Sequence, residues 1–181
     1  MAAAGAALLL VSLPAPAREL AGVTMPETLT VGGETLKLNG VGLRKKAIFK
    51  VYVGGLYLDS PSKDAAAILA RDGAKAVRMQ FLRDLRKTQL TDAFREGFEG
   101  NAPEKAAAQK GAVDRFLALI PDVREGEILT LAYTPGKGTS VALGERELGI
   151  LEGREFAEAP FSIWLGPKPP SDSLKTALLG G

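Results

Sequence analysis

The chain of 181 residues contains no cysteine and no histidine. The first absence excludes disulfides, thiol nucleophiles and thiolate metal sites, and the second removes imidazole ligands. Without histidine the usual general base near neutral pH is also gone, so proton chemistry is left to Arg, Lys, Tyr, carboxylates or water. Charge of one sign is equally scarce. Lys and Arg number 23 against 21 Asp and Glu, a formal net charge of +2, and the two signs are interspersed. A nucleic-acid footprint would need a cationic stripe or tail, so no such partner is expected. Carboxylates are nowhere spaced as a metal cage, and neither a metal nor a cofactor is implied. What the chain does have is 46% hydrophobic residues, which suits one globular domain with a real core.

The first seventeen residues, "MAAAGAALLLVSLPAPA", stand apart. Their apolar centre is too short to span a bilayer and leads into Ala15-Pro16-Ala17, a small-residue cleavage pattern, although a charged n-region is missing. Residues 1–17 are read as a signal peptide, with a single mature domain over 18–181. The protein is then expected to be exported, and a chain without cysteine suits a bacterial periplasm as well as a cytosol. No other segment is long and apolar enough to cross a membrane, and a monomer is expected.

Along the mature chain, "ETLTVGGETLKLNG" reads as two short strands about a Gly32-Gly33 hairpin. "SPSKDAAAILARDG" reads as a helix capped by Ser60, with Pro61 at its first position and Gly73 after its end. "KAVRMQFL" alternates Val77, Met79 and Phe81 with polar residues, the period of a half-buried strand. A helix capped by Thr88 follows, with Leu90, Ala93, Phe94 and Phe98 on one face. A second, started by Asn101 and Pro103, carries Val113, Phe116, Leu117 and Ile120. Three strands are expected over 127–151, a helix over 155–166, and a short terminal helix capped by Ser171 or Ser173. Strands first, helices next and hairpin-linked strands last indicate α+β with an antiparallel β-sheet and a layer of helices on one face.

"RKKAIFKVYVGGLYL", residues 44–58, fits neither a plain core strand nor a plain surface strand. In one straight strand Arg44 and Tyr52 would lie roughly 26 Å apart at about 3.3 Å per residue. A reversal near Lys46 to Ile48 would instead make them cross-strand neighbours. On simple alternation Ile48, Lys50, Tyr52 and Gly54 share one face, and Gly54-Gly55 leaves room for something to approach the sheet. A surface ion-pair residue and a core ring is one reading of Arg44 and Tyr52. The other is an anion site, with a guanidinium fork and a hydroxyl offered to a carboxylate or enolate-like oxygen.

"NGVGLRKKAIFKVYVGGLYLD" resembles the chalcone isomerase superfamily, especially its bacterial exported members, in the pattern G-x-G-x-R followed by K-V-Y-V-x-G-L-Y-L. "FLRDL" (81–85) is similar to the family's aromatic-x-Arg-Asp strand end, and "FSIWLGPKPPSDSLKTALLG" to its closing helices. The likeness runs from about residue 25 to 180. It implies an antiparallel sheet with helices on one face and a ligand cleft between them. It also places Arg44 at the arginine that supports oxygen addition in the plant isomerases. Tyr52 then stands in place of a strand threonine, while Leu90, Gly97 and Ile163 fall where a tyrosine, an asparagine and a hydroxyl residue would be. Losing those hydrogen-bond groups makes efficient flavanone formation an unfavourable expectation. Non-catalytic fatty-acid-binding members, which hold a carboxylate with an arginine and a tyrosine, resemble the chain better at the site.

The expected function is therefore binding of a small amphipathic carboxylate, such as a fatty acid, or a polyphenol. Arg44 would hold the anion, Tyr52 would give a hydrogen bond and Lys50 would raise the local potential. The alternatives are an intramolecular lyase of chalcone isomerase type, with Arg44 and Tyr52 as catalytic residues and Arg44 stabilising the enolate, and a non-catalytic envelope interaction protein. Among lesser candidates, Arg83-Asp84 is read as a strand-end ion pair rather than a cleft rim, Asn101 as a helix cap, and Trp164 as a core aromatic. "TPGKGTS" (134–140) lacks the spacing of a phosphate loop and is read as a hairpin turn.

Overall fold

The computed structural model describes residues 17–181; the segment read as a signal peptide, apart from Ala17, lies outside them. A short ribbon opens the chain, β1 (Ala17–Leu20) against β2 (Val23–Pro26), turning at Ala21-Gly22 with positive φ at both residues. The main sheet is a seven-stranded antiparallel meander. Its strands in order are β3 (Thr28–Val31), β4 (Glu34–Lys46), β5 (Phe49–Leu58), β6 (Lys75–Phe81), β7 (Ile128–Thr134), β8 (Gly138–Leu143) and β9 (Arg146–Leu151). Each strand pairs with the next in sequence; hairpin connections link most of them, but one helix is inserted between β5 and β6, three lie between β6 and β7, and two follow β9.

One face of the sheet carries the helices. These are α1 (Ala65–Ala70), α2 (Lys87–Asn101), α3 (Pro103–Ala108), α4 (Lys110–Leu119), α5 (Ala159–Leu165) and α6 (Asp172–Leu178). Helix α2 buries Leu90, Phe94 and Phe98, a stripe at i, i+4 and i+8. Helix α5 is buried at every position. It crosses α2 at Gly97, where an added Cβ would come within 2.8 Å of Ile163. The core between helices and sheet gathers Tyr52, Leu56, Val77, Phe81, Phe116 and Trp164 among many others. A second, smaller core lies on the opposite face, where Val23 and Met25 of the ribbon cover Leu36, Leu38, Val53 and Tyr57. No helix among the described residues is long and apolar enough to cross a membrane.

Two irregularities in the β4–β5 ladder decide which side chains face the helices. Leu38 pairs with Tyr57 but Gly40 with Leu56, so Asn39 is an extra residue on β4. Arg44 pairs with Tyr52 but Lys45 with Lys50, so Val51 is an extra residue on β5. Each bulge shifts the alternation by one. Beyond the first, Gly40 and Gly42 turn toward α6, where a Cβ on Gly40 would collide with the carbonyl oxygen of Ala177. The G-x-G of the sequence is thus the seat of the last helix. Asn39 fixes that seat with Nδ2 donating to the carbonyls of Ser62 and Leu178, both at 2.9 Å.

The element order matches the α+β expectation, with local differences at the helix starts. Asp64, not Ser60, caps α1, because its carboxylate accepts from Ala67 N. Thr88 lies inside α2, whose first turn is closed by Gln89 accepting from Arg86 N. Asn101 ends α2 rather than capping the next helix. Its side chain donates to Gly97 and Lys168 carbonyls and accepts from Lys168 N, which ties the loop after α5 to α2. Ser171 caps α6 as expected.

Candidate functional site, an apolar cleft with a cationic mouth

The chain reverses at Ala47-Ile48, and Arg44 and Tyr52 become cross-strand partners. No glycine or asparagine sits at this turn; Ala47 itself takes φ of 53°, a left-handed conformation that costs an L-residue about 1 kcal/mol. The Val51 bulge then sets the faces. Phe49, Val51 and Tyr52 all point into one cavity of about 410 Å³ between the hairpin, α2 and α5, a volume typical of small-ligand sites. Lys50 does not line it. It stands exposed, opposite Lys45, on the side of the strand away from the cavity, because the bulge breaks the simple alternation that would have put it beside Tyr52.

The floor is made of buried rings. Tyr52 is packed edge-on to Phe81 at 5.8 Å, and Phe94 edge-on to Trp164 at 6.1 Å. Trp164 is both the core aromatic expected from its helix and part of the cavity wall. Its Nε1 donates to the Tyr52 hydroxyl oxygen at 2.9 Å. That bond fills one lone pair of the phenol and leaves the O–H hydrogen without an acceptor among the described residues. Burial pushes the Tyr52 pKa up to about 12, against smaller lowering effects from the Trp164 hydrogen bond and the Arg44 charge. At neutral pH the group is therefore a neutral hydrogen-bond donor and not a base.

Cations form the mouth. Arg44 is half-buried and lines the cavity together with exposed Lys46 and half-buried Arg83. Arg44 Nη1 donates to the carbonyl of its own neighbour Lys45. The expected Arg83–Asp84 ion pair is absent. Asp84 instead accepts from Glu125 N at 2.8 Å, and the Arg83 guanidinium lies over the Phe49 ring, 4.7 Å from its centroid. Arg83 Nε is buried with no hydrogen-bond partner, a costly state for a charged group unless something else accepts from it. Glu96 on α2 is the acidic residue of the lining, so Arg44, Lys46 and Arg83 leave the mouth net positive. The remaining wall is largely hydrocarbon, including Leu90 and Ile163, while Gly97 faces Ile163 and not the cavity.

Arg44 and Tyr52 are thus brought together as the hairpin reading required, and Lys50 is not. Arg83 was the residue the sequence undervalued. The signal for it, an arginine two residues beyond the aromatic Phe81 at a strand end, was visible, but an adjacent aspartate offered a simpler partner. Among the described residues no group of carboxylates converges as a metal site.

Comparison with known proteins agrees with this architecture. The chalcone isomerase-like family model matches residues 17–180, and the chain belongs to that family. No curated protein sequence matches it. A crystal structure of a fatty-acid binding protein from Arabidopsis thaliana superposes with a TM-score of 0.72 at 16% identity, covering 91% of this chain and 96% of that one. At that identity the likeness is one of fold.

Proposed function

We propose that this chalcone isomerase-like protein binds a small amphipathic carboxylate, of the fatty-acid type, in the cleft between sheet and helices. The observation that carries the proposal is that one cavity combines an unpartnered phenolic hydrogen, two guanidiniums and a hydrocarbon wall. A carboxylate at the mouth accepts charge-assisted bonds from Arg44 and Arg83 and one from the Tyr52 hydroxyl. Its tail displaces water from Leu90, Phe94 and Ile163. Lys50, outside the cavity, adds only to the long-range potential. The structural similarity to a fatty-acid binding protein supports the same reading.

A lyase reading would use Arg44 to stabilise a developing enolate, with Tyr52 as donor. Leu90 and Ile163 present hydrocarbon to the cavity where such chemistry needs groups that orient water, and for this reason binding is the better reading. A polyphenol remains a chemically related ligand, since its hydroxyls can meet the same donors. We also read the protein as exported, on the Ala15-Pro16-Ala17 pattern, and as a monomer.

Native mass spectrometry of the full chain purified from a bacterial host tests these points together. The expected species is a monomer beginning at Arg18 with one adduct of fatty-acid mass. In Arg44→Ala the affinity for an added fatty acid falls about 10- to 100-fold, the range for bonds to a charged group. An unliganded wild-type protein that fails to take up added fatty acid would overturn the binding proposal, and chalcone turnover would revive the lyase.

A further inference from the structure

The tip of the β4–β5 hairpin has features the cleft does not require. The ladder with β3 ends at Lys37, and that with β6 ends at Tyr52, so residues 45–50 project beyond the sheet with strand neighbours only in each other. Ile48 is 87% exposed and Phe49 53%. Lys45 and Lys50 face each other directly across the two strands, a like-charge pairing that opposes hairpin formation. None of Arg44, Lys45, Lys46 and Lys50 appears in an ion pair among the described residues. No acidic residue occurs between Glu34 and Asp59. A fold acting only in bulk water gains nothing from extruding an isoleucine, and leaving about half of Phe49 bare beside it, on a prong of unneutralised cations.

From this we infer that the hairpin tip is a docking prong for an anionic lipid bilayer, with Ile48 and the exposed edge of Phe49 entering the headgroup boundary and the flanking lysines meeting lipid phosphates. The pattern is that of interfacial anchors, in which apolar side chains sink a few ångströms while basic stems snorkel to the charged surface. Charge decides between occupants. A second copy of the chain would bring the same cations together, whereas an anionic surface neutralises all of them at once and removes the Lys45–Lys50 repulsion. The consequence for the cleft is geometric. Phe49 and Lys46 belong both to the prong and to the cavity lining, so docking sets the cavity mouth against the bilayer surface. The inference rests on the prong alone and stands or falls separately from the identity of the cleft's ligand.

Vesicle flotation with the full chain tests it, using phosphatidylcholine vesicles with and without about one-third anionic phosphatidylglycerol. The wild type is expected to float with the anionic vesicles only, and to be released when salt is raised about tenfold from about 0.1 M. Each cation near such a surface is worth about fivefold in partitioning, so the charge reversal Lys45→Glu lowers it about 25-fold. Ile48→Asp, which touches the apolar tip and leaves the lysines, lowers it at least tenfold. Both side chains are exposed and outside the cavity, so fatty-acid binding measured without vesicles stays at the wild-type value in both variants. The melting temperature is unchanged in Ile48→Asp and does not fall in Lys45→Glu, where the new carboxylate faces Lys50 across the strands. Three results would overturn the inference: equal flotation with neutral vesicles, unchanged flotation in both variants, or equally tight binding to soluble polyglutamate. The last would make the prong a site for acidic protein.

Discussion

The two ends of the central strands place a cation beside a tyrosine in the same way and put them to opposite uses. At one end Arg44 is the cross-strand partner of Tyr52; at the other Lys75 is the cross-strand partner of Tyr133. Lys75 is 2% exposed, and its ammonium donates to the carbonyls of Ile68 at 2.7 Å and Arg71 at 3.0 Å, with a longer contact to Leu69. It therefore closes the C-terminal end of α1, where the orphan carbonyls and the helix dipole both favour a cation. It also lies 5.8 Å over the rings of Tyr133 and Phe161, while the Tyr133 hydroxyl donates to Asp72 at 2.5 Å. Every polar group there is answered by the protein. At the Arg44 end the Tyr52 hydrogen and Arg83 Nε are not. The same two residue types thus make a structural latch where helix termini meet them, and a binding site where a cavity does.

The largest effect that separates the two ends is on stability. Lys75→Ala is expected to cost about 3 kcal/mol, from the cavity left by the stem and from the abandoned α1 carbonyls. Arg44→Ala changes the unfolding free energy by less than about 0.5 kcal/mol, as for a surface position, while removing the anion's main partner. Denaturant unfolding of the two variants side by side measures this. A loss of comparable size in both would mean that Arg44 is structural, and the contrast would fail. Lys75→Met refines the comparison, since it keeps the stem and discards only the ammonium. Desolvation by burial, and then the Arg71 charge, lower the Lys75 pKa to about 8, so the charge is held at some cost. The methionine variant should recover more than half of the loss.

That contrast also explains how far the sequence could be read. The meander and the helical layer follow from local period and turn spacing, which are properties of neighbouring residues, whereas the Arg44–Tyr52 pairing was one of two geometries the sequence allowed, because no glycine, asparagine or proline marks the reversal. The family pattern added the cleft. The bulges at Asn39 and Val51 are set by what lies across the sheet, and nothing within the strand announces them. The face of Lys50 was therefore misjudged by one residue's rotation, and the part the G-x-G plays as the seat of helix α6 left no local signal. Arg83 failed for a related reason. Its neighbour Asp84 is the nearer partner along the chain, but in space that carboxylate is taken by a backbone amide 41 residues away. The β1–β2 ribbon, four residues per strand around Ala21-Gly22, was too short to give any periodic signal.

A second test asks whether the cleft's tyrosine is as dry as the latch's. Burial pushes both Tyr52 and Tyr133 up to about 12, with the Asp72 hydrogen bond adding to the rise at Tyr133. A phenol with folded pKa near 12 and unfolded pKa near 10 keeps its proton longer in the native state. Between those values the native state binds more protons, so stability falls as pH rises, by at most about 2.7 kcal/mol for Tyr52 and by less for Tyr133, whose hydroxyl lies nearer the surface. Below pH 10 this contribution is fully present. Tyrosinate absorbance should therefore stay low up to about pH 10 and then rise together with unfolding. A difference titration against Tyr52→Phe isolates the cleft ring. If its tyrosinate appears near pH 10 with the fold intact, the cavity floor is open to water and the Tyr52 hydroxyl is a surface donor.

The smallest expected effect concerns the turn that makes the cleft end possible. The latch end is held by α1 and by carbonyls that cannot relocate, whereas the Arg44–Tyr52 pairing depends on a two-residue reversal whose first residue, Ala47, carries φ of 53°. Glycine adopts that conformation without the clash of a Cβ against the carbonyl. Ala47→Gly also raises the entropy of the unfolded chain, which offsets part of the relief. The net expectation is a stabilisation of about 0.5 kcal/mol, read as a small rise in melting temperature, with affinity for a fatty acid unchanged because the ladder register is preserved. Ala47→Val works in the other direction, since a β-branched side chain tolerates positive φ poorly. It should cost about 1 kcal/mol or more and weaken ligand binding as the hairpin opens. If valine lowers stability and leaves binding intact, Arg44 reaches the ligand without the hairpin's help, and the pairing with Tyr52 is incidental to the site.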